Sequence, residues 1–337
     1  MKQLKYIETD RLLCKSQSYK TVYEWEDVLS VKLGLSLRTY TRIKQIYHGR
    51  YEKNGLVRVY HKLHRRSVLH LLYVMRAGIK QSCRLNCNTI PVLIDFWLKD
   101  EDLPAFYKAY KHVPLLLVTN LEVYQYLTEH NCPIPIEHWP LSLPDMYELK
   151  NDVEFKKKYD FCFLGRQNPF FARMLNEYSK KHPEFVYIEN KGNVNNRVYI
   201  TNRGNIVAKD TGRKSYIQMI QNTKVSCYTT PGLDESKSET TRFNQVTPRL
   251  FEMLVNGCHV IGHYPTNGAD VKYYEIEKIV PNVENYEEFE HELEKMLSTP
   301  FDTEKAIKFL SNNTTSVRAE MLKRILLKHN ILISAGC

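Results

Sequence analysis

The sequence predicts a two-domain α/β chain built on parallel sheets, and three observations carry this. The chain has 337 residues, more than the roughly 250–300 that one hydrophobic core usually serves. From residue 89 onward, short continuous apolar runs alternate with helical stretches, the pattern of βαβ units whose sheet is covered on both faces. A Pro-rich joint, Pro140-Leu141-Ser142-Leu143-Pro144-Asp145, runs into the charged stretch 148–158. It divides the chain into 1–145 and 146–337, with the last helix able to pack back on the first domain.

The elements follow in order. Tyr23–Val28 reads as a helix start, Leu56–Tyr60 as an alternating strand and His61–Ile79 as a basic, apolar-rich helix. Thr89–Asp95 is a buried strand ending in an acid, Leu103–Tyr110 a helix with Pro104 in its first turn, and Val113–Asn120 a second buried strand. A helix over Leu121–His130 and an extended piece over Ile134–Trp139 complete the first domain. The second opens with the strand Tyr159–Leu164, the turn Gly165-Arg166 and a helix from Phe170 to Lys181. Phe185–Ile188 is a strand, and 190–212 is a polar excursion. Arg213–Asn222 is helical, Val225–Thr230 a strand, and 231–247 a loop longer than connectors usually are. Helix Pro248–Asn256, strand His259–Gly262, a short strand Lys278–Val280, an acidic helix Tyr286–Leu297 and a final helix Val317–His329 follow.

Composition excludes several classes. Hydrophobic residues at 43% and charged residues at 26% are ordinary for a folded protein. No apolar run approaches the about 18 residues that span a bilayer, and Met1–Lys5 lacks an apolar signal core. With eight scattered cysteines, three of them in strand-like runs, this reads as a cytoplasmic protein in a reducing compartment. Cys83 and Cys87 have no second pair at zinc spacing, so no metal site is expected. The net charge of +10 is uneven, with 13 basic residues against one acid, Glu52, between residues 31 and 90. Such a block suits an anionic membrane surface or a polyanion, and it equally suits a plain solvated face. Neither the G-x-S-x-G nor the phosphate-loop pattern occurs.

The segment 247–262 carries the most information. Thr247 suits an N-cap, Pro248 the first helical position and Gly257 a left-handed C-terminal cap. Arg249 and Glu252, three apart, share one helix face near its N-terminus. Helix N–H groups and an Arg favour phosphate, and a carboxylate can accept both hydroxyls of a ribose. The same pair also reads as an ordinary helical ion pair.

The run Pro248-Arg249-Leu250-Phe251-Glu252, followed by Cys258-His259-Val260-Ile261-Gly262, resembles the donor-site module of group-1 glycosyltransferases. The similarity extends over about 159–297 and, weakly, over 89–145. It implies the GT-B fold, two Rossmann-like domains facing across a cleft. It implies donor binding by Glu252 at the ribose and by Arg249 and Arg166 at the diphosphate, beside Gly165 and Thr229. Many members carry a second acid where this chain has Asn244, so Asn244, or Glu239 from the long loop, would contact the sugar. No obligatory metal and no cofactor is expected; a nucleotide diphosphate sugar is the co-substrate.

For an inverting reaction the base would come from the first domain. Asp95 is the foremost candidate because it ends a buried strand, although a strand-end acid also serves as a turn cap; Glu24, Glu26 and Asp27 follow. A retaining reaction needs no such base, and both stay open. The expected activity is sugar transfer from a nucleotide diphosphate sugar to an acceptor hydroxyl, in cell-surface glycan or polysaccharide synthesis. The acceptor would be a glycan or lipid-linked, reached at the inner membrane face through residues 31–90. A nucleotide-sugar epimerase of the same fold and a non-catalytic nucleic-acid-binding protein are the alternatives, though no nucleic-acid-binding module is present and nucleic acid is not the expected partner.

Overall fold

The computed structural model describes residues 2–64, 68–165, 167–192, 198–209, 212–233 and 242–334. The chain separates into two compact units, Met1–Asp145 with Thr314–Cys337, and Met146–Asn313.

The first unit opens with β1 (Lys2–Thr9), α1 (Gln17–Leu33), β2 (Ser36–Thr39), α2 (Arg42–Lys53) and α3 (Val57–Leu63). It continues through β3 (Val68–Arg76), β4 (Thr89–Asp95), α4 (Leu103–Tyr110), β5 (Leu116–Val118), α5 (Leu121–Glu129) and β6 (Ile136–His138). All strand pairs are parallel, in the order β1-β3-β4-β5-β6. β2 pairs with the later half of β1, from Tyr6 to Thr9.

Two expectations for this stretch are corrected. Leu56–Tyr60 is the helix α3 and not a strand, because Val57 and Tyr60, one helical turn apart, are its buried residues. Much of the expected helix 61–79 is the central strand β3. Leu69, Leu71 and Leu72 are nearly inaccessible, so both strand faces are covered. A central parallel strand reads as a continuous apolar run, and the basic residues around it masked that reading.

The second unit comprises β7 (Tyr159–Phe163), α6 (Pro169–Lys181), β8 (Tyr187–Lys191), β9 (Val198–Thr201), β10 (Ile206–Ala208), α7 (Arg213–Gln221) and β11 (Thr223–Thr229). Then come α8 (Pro248–Val255), β12 (His259–His263), α9 (Ala269–Tyr274), α10 (Tyr286–Ser298) and α11 (Thr303–Ser311). The sheet order is β10-β9-β8-β7-β11-β12. Four strands are parallel, and β9 and β10 extend the sheet antiparallel. Those two strands occupy part of the stretch expected to be an irregular excursion. The expected strand at Lys278–Val280 is a 3₁₀ turn over Ile276–Lys278 followed by loop; Gly262 bridges to Asn282 instead. Phe161, Val225 and Ile261 of the strands pack with Phe171 and Leu175 of α6 and Phe289 and Leu293 of α10.

The chain closes with α12 (Thr315–Lys328) and β13 (Ile331–Ile333), both in the first unit. The second compact range therefore ends at Asn313. The tail is held by specific bonds. β13 adds to β1 through Lys2 to Leu4. The Trp139 indole donates to the Arg318 carbonyl at 2.9 Å, and the Ser316 amide donates to Asp145 Oδ1 at 2.9 Å. Leu322, Ile325 and Leu326 bury against Trp25 and Leu29 of α1 and the sheet.

Candidate functional site

In the second unit, β7 and β11 lie side by side in the middle of the sheet, with Ser226 level with Cys162. Their C-terminal ends deliver Gly165, just past β7, and Thr229 to one edge. Helices α7 and α8 both begin at that edge, because each follows a strand running toward it. Open parallel sheets bind ligands there, where helix N-termini leave N–H groups unsatisfied.

Gly165 has φ +81°, a conformation that side chains rarely adopt. The Arg249 guanidinium lies directly against it: a β-carbon at Gly165 would stand 2.7 Å from Arg249 Cζ. The missing side chain is what lets the guanidinium sit over the strand end. Arg249 is the second residue of α8 and is half-buried. Burial alone would lower its pKa, but Tyr216 and Glu252 beside it hold it above the ordinary value.

Glu252, one turn further along α8, is 5% exposed. Arg213 Nη1 donates to Glu252 Oε1 at 2.6 Å, and Arg213 Nε donates to the Tyr147 hydroxyl at 3.3 Å. Arg213 also reaches Tyr216, its guanidinium 5.9 Å from that ring. Burial, and then the Glu252 charge, push the Tyr216 hydroxyl far above its usual pKa. Among the described residues, the edge thus presents two arginines from the first turns of two helices and one buried carboxylate. Arg213 was missed in the sequence. Its signal is a charge at the wrong end: a basic residue opening a helix opposes the helix dipole and asks for another reason to be there.

The remaining donor-site expectations fall differently. Asn244 accepts the Thr230 hydroxyl at 2.7 Å, and its amide lies over Gly232, where a β-carbon would stand 2.8 Å from Asn244 Cγ. It braces the turn after β11. Arg166 and Glu239 lie outside the described residues. Thr247 starts α8 in extended geometry with no side-chain cap bond, and Gly257, at φ +63°, ends it.

In the first unit, Asp95 ends β4 half-buried, level with Arg76 of β3. Of the acids named as base candidates, Glu26 is one whose titration the fold moves. It is 2% exposed, and burial lifts its pKa to about 7 against the Thr9 hydroxyl and Arg11, which pull it down. Asp27 pairs with Arg11 at 2.7 Å. Asp100-Glu101-Asp102 has an Asp-x-Asp spacing, the pattern of a metal clamp. Its acids serve locally: Asp102 caps the Lys99 amide at 3.1 Å and Asp100 accepts the Tyr126 hydroxyl at 2.7 Å. Among the described residues, no group of three or more His, Cys, Asp or Glu could hold a metal ion, and no helix is long and apolar enough to cross a membrane.

Substitution at Gly165 tests the arrangement. Gly204 has the same φ of +81°, yet a β-carbon there meets nothing within 4 Å. Gly204→Ala is expected to cost only the backbone strain, about 1–3 kcal/mol. Gly165→Ala adds displacement of Arg249 and is expected to cost about 2 kcal/mol more by urea denaturation. Equal costs would mean that the guanidinium moves aside freely.

Neither a protein-family model nor a curated sequence matches the chain. Solved structures do. The Candida albicans trehalose-6-phosphate phosphatase N-terminal domain matches at TM-score 0.55 and 8% identity, over 98% of this chain and 97% of that one. AviGT4, a glycosyltransferase involved in avilamycin A biosynthesis, matches at TM-score 0.52 and 10% identity, over 97% and 96%. The α,α-trehalose 6-phosphate synthase from Burkholderia multivorans matches at TM-score 0.51 and 11% identity, over 93% and 82%. The fold is GT-B. Glycosyltransferases of that fold are among the structural neighbours. In another match, the GtfA/B complex, the chain spans 60% of the solved chain. The Arg249–Glu252 site occupies the strand-end edge of one of the two α/β units of this GT-B chain.

Proposed function

We propose that the chain is a glycosyltransferase that takes a sugar from a nucleoside diphosphate sugar and passes it to an acceptor hydroxyl. The observation that carries this reading is the Arg249 guanidinium seated over Gly165, with the buried Glu252 one turn below it. Arg249 and the N-terminal amides of α8 hold the diphosphate. Charge that develops on the leaving diphosphate then meets a fixed cation in a site that needs no reorganisation. Glu252 accepts the ribose hydroxyls, and Arg213 orients its carboxylate. A thermal-shift screen of UDP, GDP, ADP, CMP and dTDP tests the reading, since a ligand that binds only the folded state raises the midpoint by mass action. One nucleotide is expected to raise it in the wild type and not in Glu252→Ala. No rise with any of them would sink the proposal.

The acceptor side has its own support. Ile43, Ile46 and Tyr47 of α2, and Leu56, Val59 and Leu63 around α3, are all exposed. Arg42, Lys44, Arg50, Lys53, Arg58 and Lys62 are interspersed among them. An apolar face ringed by cations fits an anionic lipid surface, where each base adds about 1 kcal/mol. This hairpin is proposed to hold the enzyme at the membrane that carries its acceptor. The protein is expected to sediment with phosphatidylglycerol vesicles and to lose this about tenfold in Ile43→Asp/Ile46→Asp. Binding unchanged in that variant would overturn the assignment.

A further inference from the structure

A pocket of about 190 Å³ in the first unit lies apart from the donor site and shares Arg58 and Lys62 with the α2–α3 surface. Arg58, His61 and Lys62 from α3 line it, with Cys87 from the loop before β4 and Lys111 and His112 from the turn after α4. All three stretches lie where the chain enters a strand: α3 precedes β3, Cys87 precedes β4, and Lys111-His112 precedes β5. The pocket is therefore at the N-terminal edge of the parallel sheet. Asp95 and the other strand C-termini are at the opposite edge, the one such sheets use for substrates.

Its lining has one sign of charge. Arg58, Lys62 and Lys111 are basic, no carboxylate is among the described lining residues, and the His61 and His112 rings meet edge to face at 5.1 Å. Glu52, the one acid of the basic block, is engaged elsewhere: Oε1 accepts the Ser82 hydroxyl at 2.7 Å and the Cys83 amide at 2.9 Å. Gathering like charges around a concavity costs free energy that a counter-ion returns.

His61 adds a second, separate observation. Its Nε2 lies 3.1 Å from the Ser82 carbonyl, so that nitrogen carries the proton and donates. Its Nδ1 is buried and has no hydrogen-bond partner. Buried polar atoms are seldom left unpaired without a reason. Burial first, and then His112 and Lys111, pull the His61 pKa down. An anion in the pocket would reverse those charge effects.

We propose that this pocket binds a phosphate group. A guanidinium fork, two ammonium groups and two imidazoles offer more donors than the two oxygens of a carboxylate can accept, whereas a phosphate dianion presents three or more acceptor oxygens. The proposal does not rest on the transferase reading. The phosphate comes either from a lipid headgroup, since α3 also contributes to the apolar surface, or from a soluble phosphorylated molecule.

The test is calorimetric titration of the full chain with inorganic phosphate at constant ionic strength. Arg249→Ala serves as background, so that phosphate on the donor site makes no contribution. Lys111 is exposed, so Lys111→Glu should fold, and its melting curve checks that. Phosphate is expected to bind, with affinity about tenfold weaker in Lys111→Glu and in His61→Gln. Vesicles of phosphatidylcholine with phosphatidic acid separate the sources. Release of the protein by free phosphate assigns a lipid headgroup; phosphate binding that leaves vesicle binding untouched assigns a soluble ligand. No heat with phosphate, or equal affinity in wild type and both variants, overturns the proposal. No nucleotide binding by the wild-type chain, with phosphate binding intact, would count against the transferase reading alone.

Discussion

Glu252→Ala is expected to weaken nucleotide binding by about a hundredfold or more and to destabilise the folded chain by about 3–5 kcal/mol, for two separable reasons. Two hydrogen bonds donated by ribose hydroxyls to a carboxylate contribute about 1.5–3 kcal/mol each. The stability loss comes from Arg213. It loses the partner 2.6 Å away in a site where Glu252 is 5% exposed, and an uncompensated buried charge is costly. A double variant divides the effects. Arg213→Met/Glu252→Leu replaces the pair with apolar side chains of similar size, so stability measured in urea should return to near the wild-type value. Nucleotide binding should stay lost. Binding restored in the double variant would show that Glu252→Ala acts only by unfolding the site. Full binding in Glu252→Ala would remove Glu252 from the donor site.

Acid is expected to unfold the first unit well above the carboxylate range, with stability falling steeply from about pH 6.5 to pH 4. His48, His70 and His138 are 8%, 6% and 9% exposed. Burial is the leading cause in each case, and it lowers their pKa values to about 4, 3 and 4. Arg84 lowers those of His48 and His70 further, and Arg318 that of His138. Glu52 works the other way on His48. The unfolded chain takes up these protons near pH 6.5, and the folded chain refuses them until pH 3–4. The stability is therefore fully present above pH 6.5 and is lost as pH falls through that window. At about 1.4 kcal/mol per pH unit for each group, the three together reach on the order of 10 kcal/mol, as much as a whole domain usually has. Glu26, raised to about 7, opposes them: the folded state gains as pH drops from 7 to 4.5, but one group opposes three. His70 stacks on Tyr6 at 4.9 Å and Nε2 meets the Thr89 hydroxyl at 3.2 Å. His70→Gln should keep a partner for Thr89 and flatten the slope of stability against pH. An unchanged slope would mean that this imidazole is hydrated in solution.

Some of the site was legible before any tertiary structure. Arg249 and Glu252 are three apart behind a Thr-Pro start, and helical periodicity alone places them on one face at an open helix end. Gly165 was legible as a glycine after a buried strand, but its reason was not. What it makes room for comes from 84 residues later in the chain. Arg213 lies 39 residues from Glu252, and no spacing rule connects two helices that meet only because β11 lies between them in the sequence.

The α/β class and the start and stop of the helix behind Thr247 were legible in the sequence, because each rests on local periodicity or on Pro and Gly chemistry. Three other matters depended on contacts between distant parts of the chain. Tertiary packing made Val68–Arg76 a central strand, a choice between strand and helix that an apolar run leaves to its neighbours. It returned α12 to the first unit, where Trp139, Asp145 and Leu322 receive it. It joined Arg213 to Glu252 and Arg249 to Gly165. Each is a pairing between residues distant in sequence, and such pairings take their free energy from burial and desolvation that exist only once the sheet has formed.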